Sequence, residues 1–156
     1  MRRVAKQYRL FNPSNVSKVD AAYSAGIIDG EGCIRLQPKT FGLDISVGNT
    51  ELDLLIWLRD RWGGKIYSNS RHTTNRYLNS KPFFHWRVNG PDGFVFLESI
   101  LPYMVIKNKR AEKALELKEF YLKKNNYLPG FNEKCRAERQ RIYLELKEMN
   151  RRGAIQ

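Results

Sequence analysis

The sequence predicts an α+β domain, with one four-stranded antiparallel sheet carrying its helices on one face. Three observations carry that expectation. Apolar residues alternate with polar ones in two pairs of short segments, the mark of half-buried strands. Each pair follows a stretch with helical spacing, so helix, strand, strand occurs twice before the chain turns wholly helical. The 156 residues, 42% of them hydrophobic, are enough for one domain with a real core.

Residues 1–16 read as a basic arm, with Arg2, Arg3, Lys6 and Arg9 and no acidic residue, and the domain proper is expected over 17–156. Ser17 caps the first helix and Asp20 answers it three positions on. That helix should run through Asp29 and break near Gly30-Glu31-Gly32. Residues 33–37 and 43–49 then alternate around a hairpin at 38–42, with Ile34, Leu36, Leu43, Ile45 and Val47 toward the core. Thr50 and Asp53 open a second helix whose stripe is Leu52, Leu55, Ile56 and Trp62, and Gly63-Gly64 stops it. A second strand pair, 65–69 and 83–88, flanks a long polar tip holding Arg71 and Arg76. Pro91 suits the first turn of a third helix with Phe94, Leu97, Ile100 and Leu101. A basic helix over 109–124 and an amphipathic one over 132–150 complete the chain.

Lys and Arg number 28 against 16 Asp and Glu, leaving +12 at pH 7. Such an excess points to a polyanionic partner, nucleic acid before an acidic membrane surface. No stretch approaches the roughly 18 apolar residues of a membrane span, and Met1-Arg2-Arg3-Val4 does not open a signal peptide. Cys33 and Cys135 make neither a disulfide framework nor a metal-ligand spacing. That usage suits a reduced intracellular protein, with a prokaryotic cytoplasm and an organelle both open.

The informative segment is Ser24-Ala25-Gly26-Ile27-Ile28-Asp29-Gly30-Glu31-Gly32. Gly26 and Gly30 stand four apart on one helical face, with Ala22 four further back, a stripe that permits close backbone approach. Two readings of it are open: a helix packed inside the chain, or the same helix of a second copy across a two-fold axis. Glu31 falls at the helix C-terminus, where the dipole is already negative. Two such carboxylates brought together would favour protonation or a divalent metal. Beside nucleic acid, a metal is the more useful answer, because it activates water and stabilises a leaving oxygen.

These nine residues resemble the signature of the LAGLIDADG homing endonucleases in their single-copy, homodimeric form, with Ser24 in place of the leading leucine. The resemblance continues through LDISVGNTELDLLIWLRDRWGGKIY at 43–67 and PYMVIKNKRA at 102–111, and covers about residues 18–125. It implies the family's αββαββα homing-endonuclease fold and use of Mg²⁺, with Ca²⁺ or Mn²⁺ as substitutes. It also implies a homodimer that cuts both strands of a long, nearly palindromic double-stranded DNA target, as in intron homing. By position, Glu31 would hold metal with the Gly30 carbonyl as second ligand, and Lys107 would stabilise charge at the scissile phosphate. Asn49 would orient water, although it reads equally well as a turn residue, and Lys109 is the alternative to Lys107. Ala22, Ala25, Gly26 and Asp29 would face the second copy.

With the motif in place, the polar strand face reads as a DNA-binding surface of Arg35, Gln37, Lys39, Asp44, Ser46, Lys65, Tyr67, Asn69, His85 and Arg87. Arg, Gln, Asn and Asp suit guanine, adenine and cytosine edges, while Arg71 and Arg76 would join from the hairpin tip. The rival reading is a non-cleaving binder on the same fold, such as an intron RNA maturase. An unrelated basic structural protein is the third.

Overall fold

The computed structural model describes residues 15–69, 82–122 and 131–151. Residues 1–14 of the expected arm, and Arg71 and Arg76 of the hairpin tip, lie outside them. The first helix, α1, spans Lys18–Glu31. Its start is the capping box expected: Ser17 Oγ accepts from the Asp20 amide at 3.0 Å while the Asp20 carboxylate accepts from the Ser17 amide at 3.3 Å. The helix continues through Gly30 and Glu31 and stops only at Gly32, whose amide bonds Ile28 O. The missing Cβ of Gly32 explains the stop there, since one would stand 2.6 Å from the Ile28 backbone.

Strands β1 (Gly32–Leu36) and β2 (Leu43–Asn49) pair antiparallel. Helix α2 (Leu52–Trp62) is followed by β3 (Lys65–Asn69) and β4 (Phe83–Asn89). The sheet order is β1-β2-β4-β3, all neighbours antiparallel, as the two alternating pairs predict. Helix α3 (Gly90–Ile100) has Pro91 in its first turn, where the absent N–H costs nothing.

Three expectations fail at helix ends. Glu51, not Thr50, precedes α2 and makes no side-chain cap, while its own amide donates to Asn49 Oδ1 at 2.9 Å. The buried stripe of α2 is Leu55, Leu58 and Trp62, while Leu52 is exposed. The expected helix over 109–124 is two, α4 (Asn108–Leu115) and α5 (Lys118–Leu122), with Leu117 buried at the joint. The last helix, α6 (Phe131–Met149), matches its expectation within a residue.

The core lies between the sheet and α1 to α3 and is organised by aromatics. Phe96 stands edge-on to both Trp62 and Trp86, with centroids 5.0 and 5.3 Å apart. Both indoles are satisfied: Trp86 Nε1 donates to Gly63 O and Trp62 Nε1 to Ser24 Oγ, each at 2.8 Å. Ser24 in turn donates to Asp20 O, so the residue that replaces a leucine in the motif is a buried hydrogen-bond relay. Gly63 and Gly64 both have positive φ, and a Cβ on Gly64 would lie 2.4 Å from Arg87 O, so this turn requires glycine. Helix α6 closes the β1 edge, where Asn150 Nδ2 donates to Ile34 O at 2.8 Å.

Candidate functional site

The end of α1 is held by a segment nearly eighty residues away. Asp29 accepts three consecutive backbone amides through its two oxygens: Val105 at 2.7 Å, Ile106 at 3.2 Å and Lys107 at 2.9 Å. Burial works against its charge, but the amides of Val105, Lys107 and Ile106 prevail and hold the carboxyl below its ordinary value. Lys107, fixed at the start of α4, turns its ammonium back to donate to Ile28 O and Gly32 O, both at 2.8 Å. It thereby caps the negative end of α1. Burial, then Arg110, lowers the Lys107 pKa, while Asp29, Cys33 and Glu31 act in the opposite direction. Glu31 itself is exposed in the same turn. The motif carboxylate and Lys107, 76 positions apart in sequence, therefore share one end of one helix.

Among the described residues the outer face of α1 is open along its small-residue stripe, although Tyr23 stands edge-on to Trp57 of α2 with centroids 4.9 Å apart. A Cβ on Gly26 or on Gly30 would find no heavy atom within 4 Å. Val19 is 77% and Tyr23 54% exposed on the same side, and Ala22 is exposed between them. Val105 and Ile106 stand exposed beside the helix end. The small-residue stripe therefore does not pack a helix within the chain. Two of the four residues expected to face a second copy do not lie on that open face. Ala25 is fully buried in the core, and Asp29 is engaged by the Val105–Lys107 amides. Ala22 and Gly26 remain.

No group of three His, Cys, Asp or Glu that would hold a metal occurs among the described residues. At this end of α1 one carboxylate is exposed, Glu31, beside the Gly30 carbonyl, one of the terminal carbonyls that helix geometry leaves without an i+4 partner. That all-oxygen set suits a hard cation that keeps several waters. Asn49 Oδ1 accepts the Glu51 amide at 2.9 Å and so closes a turn before α2.

Strand alternation holds across the sheet, with Ile34, Leu36, Ile45, Val47, Trp86 and Val88 buried on one side. On the other, register places Arg35 opposite Asp44, Cys33 opposite Ser46, Arg87 between Ser46 and Lys65, and His85 between Gly48 and Tyr67. Gln37 and Lys39 are exposed at the β1–β2 turn, and Asn69 ends β3. Asp44 corrects an expectation. It is 1% exposed and its Oδ2 takes Arg35 Nε and Nη2 at 2.9 and 2.7 Å, so it orients Arg35 and offers no free acceptor to cytosine. Arg87 Nε is buried with no hydrogen-bond partner, and the guanidinium lies 5.9 Å over the Tyr67 ring. Sequence reasoning missed Phe83, an exposed aromatic on this face; its alternation with His85 and Arg87 was the available signal.

No helix among the described residues is long and apolar enough to cross a membrane. No family model matches the sequence, and the search among curated proteins finds no relative. Solved structures do match. The homing endonuclease I-CvuI, in complex with a DNA target in the presence of magnesium, superimposes with a TM-score of 0.68 at 17% identity, over 89% of this chain and 87% of that one. The archaeal intron-encoded homing endonuclease I-Vdi141I, complexed with DNA, gives 0.60 at 15% identity over 86% of each chain. I-SmaMI, bound to an uncleaved DNA target with calcium, gives 0.52 at 16% identity over 81% of this chain but 46% of its own. The first of these matches extends over more of the chain than residues 18–125, so part of the shared fold lies outside the motif-bearing segment. The chain has the fold of the LAGLIDADG homing endonucleases, and the nine residues that resemble that family's motif close its first helix.

Proposed function

We propose that this protein is a site-specific, metal-dependent DNA endonuclease that cuts both strands of a long, nearly palindromic duplex as a homodimer. The observation that carries it is the open glycine face of α1, which ends in an exposed Glu31 beside Lys107. Two copies apposed along that face bring two Glu31 carboxylates together in one site. Val105, Ile106, Tyr23 and Val19 supply apolar area around the contact. The match to less than half of I-SmaMI leaves room for two such units in that protein, which supports two units acting here.

A bound Mg²⁺, or Ca²⁺ or Mn²⁺ in its place, would supply positive charge at the phosphate and an activated water for phosphodiester hydrolysis. Glu31 and the Gly30 carbonyl would hold it. An ammonium has three N–H groups, and the α1 carbonyls of Ile28 and Gly32 take two of Lys107's. The third is available to a phosphate oxygen, so Lys107 is fixed in place before substrate arrives. The polar sheet face would lie in the major groove, with Arg35, Gln37, Lys65, His85 and Arg87 toward base edges and the remaining cations on phosphates.

The test is to select duplexes from a randomised pool with the full chain and incubate them with Mg²⁺ or EDTA. Double-strand cleavage at the selected sequence in Mg²⁺ alone is the expected result. Selective binding with no cleavage in Mg²⁺ or Mn²⁺ overturns the nuclease reading, and tight binding of a structured intron RNA alongside it would establish the maturase-type alternative.

A further inference from the structure

The DNA-facing side of the sheet is not polar throughout. Beyond the Gly48–His85–Tyr67 row it ends in Phe83, which is 40% exposed, next to a 48% exposed Tyr67. The Phe83 ring stands edge-on to the His85 imidazole, with centroids 4.9 Å apart and planes at 86°. Room for both comes from β2. A Cβ on Gly48 would fall 2.8 Å from Phe83 Cζ and 3.1 Å from His85 Nδ1. The tip of the Phe83 ring therefore reaches back over Gly48, and the ring lies along the sheet instead of standing out as a wedge between bases. It is an apolar ring fixed in position, on a face that also carries Cys33, Arg35, Ser46, Lys65, Tyr67 and Arg87.

Leaving a phenyl ring in water is unfavourable, and a residue that only solvated the strand would be polar. One group in the major groove matches it best: the C5 methyl of thymine is the only methyl group that an unmodified base pair presents there. Resting on the DNA-binding reading above, we propose that Phe83, held by His85 and Gly48, is a specificity residue that selects thymine by its methyl group at one position of each half-site. Arg87 and Lys65, in the neighbouring row, set the register by contacting base edges and phosphates.

The experiment uses the full chain and the duplex it selects from a randomised pool. Each thymine is replaced in turn by deoxyuridine, which lacks only the methyl. At one position per half-site, the replacement should weaken binding by about three- to tenfold. Phe83→Ser should bind the thymine and uracil duplexes equally, and Phe83→Leu, which keeps an apolar contact, should retain part of the difference. If uracil is tolerated at every position, or Phe83→Ser preserves the discrimination, the inference fails while DNA recognition stands. Unpaired oligo(dT) bound as tightly as the duplex would also overturn it, in favour of base stacking. If no duplex sequence is selected at all, the DNA-binding reading fails and this inference falls with it. Should Phe83→Ser not fold, the uracil series on the unaltered chain and on Phe83→Leu still decides.

Discussion

A carboxylate at the C-terminal end of a helix opposes the dipole, and Glu31 stands there exposed, with no ion pair drawn around it. Asp29, two residues back, carries the structural burden of the same turn by gathering three amides, which leaves Glu31 as the acid of the motif open for the proposed chemistry. Glu31→Gln removes charge at the proposed metal site and none from the sheet. It should lower cleavage at least 10²-fold with DNA affinity changed less than about threefold, by parallel cleavage and binding assays. Asp29→Asn acts differently. The native pKa of Asp29 lies below its unfolded value, so its contribution to stability is present above the unfolded carboxylate pKa and is lost as pH falls through the native one. Thermal unfolding followed from pH 7 downward should show a shallower acid loss in Asp29→Asn than in the natural chain. That variant should also cut more slowly, because Lys107 loses its anchor while Glu31 remains. Ser24 is a third case. Replacing it by Ala removes the acceptor of the Trp62 indole in a buried site, for an expected loss of about 1–3 kcal/mol in denaturant unfolding.

At the scale of elements, α1 has two faces with opposite fates. Ala21, Ser24, Ala25 and Ile28 are buried under the sheet, while Ala22, Gly26 and Gly30 are open. Gly26→Leu adds bulk where nothing inside the chain objects, so the monomer should keep its melting temperature and lose its dimer. Light scattering and thermal unfolding on one sample check both halves, and an unchanged dimer mass would return the glycine stripe to an incidental surface. Helix α1 was legible in the sequence because its cap, its apolar period and its glycine stop are all local signals. The strand faces were legible for the same reason, since alternation needs no knowledge of what covers them. What could not be read was long-range: Asp29 seemed free to meet a partner because its amides come from residues 105–107, and Asp44 seemed a base reader because Arg35 sits across the strand. The break between α4 and α5 was hidden too, since a burial requirement at Leu117 sets it and propensity does not.

Charge at the scale of the molecule is arranged by face. The four strands contain a single acidic residue, Asp44, and Arg35 neutralises it. Most acids sit on helices, where several are tied up internally: Lys113 bridges Glu116 and Glu145, and Arg141 bridges Glu138, Glu145 and Glu116. The described residues hold 18 of the 28 Lys and Arg and all 16 acids, so most of the net +12 belongs to residues outside them. If each dimer neutralises some six to ten phosphates, affinity for the selected duplex should fall on the order of 10³–10⁵-fold between 50 and 200 mM salt. A titration that shows a flat salt response would argue against a backbone-tracking interface. One further property follows from the clasp between Asp29 and residues 105–107. It joins segments 76 to 78 positions apart, with the whole sheet between them. Loop closure over that span is repaid only once the intervening strands have paired. The clasp therefore closes late in folding, and Asp29→Asn should steepen unfolding kinetics while leaving the refolding rate nearly unchanged. A chain whose strands are already in register can therefore still lack the clasp that fixes Lys107 beside Glu31.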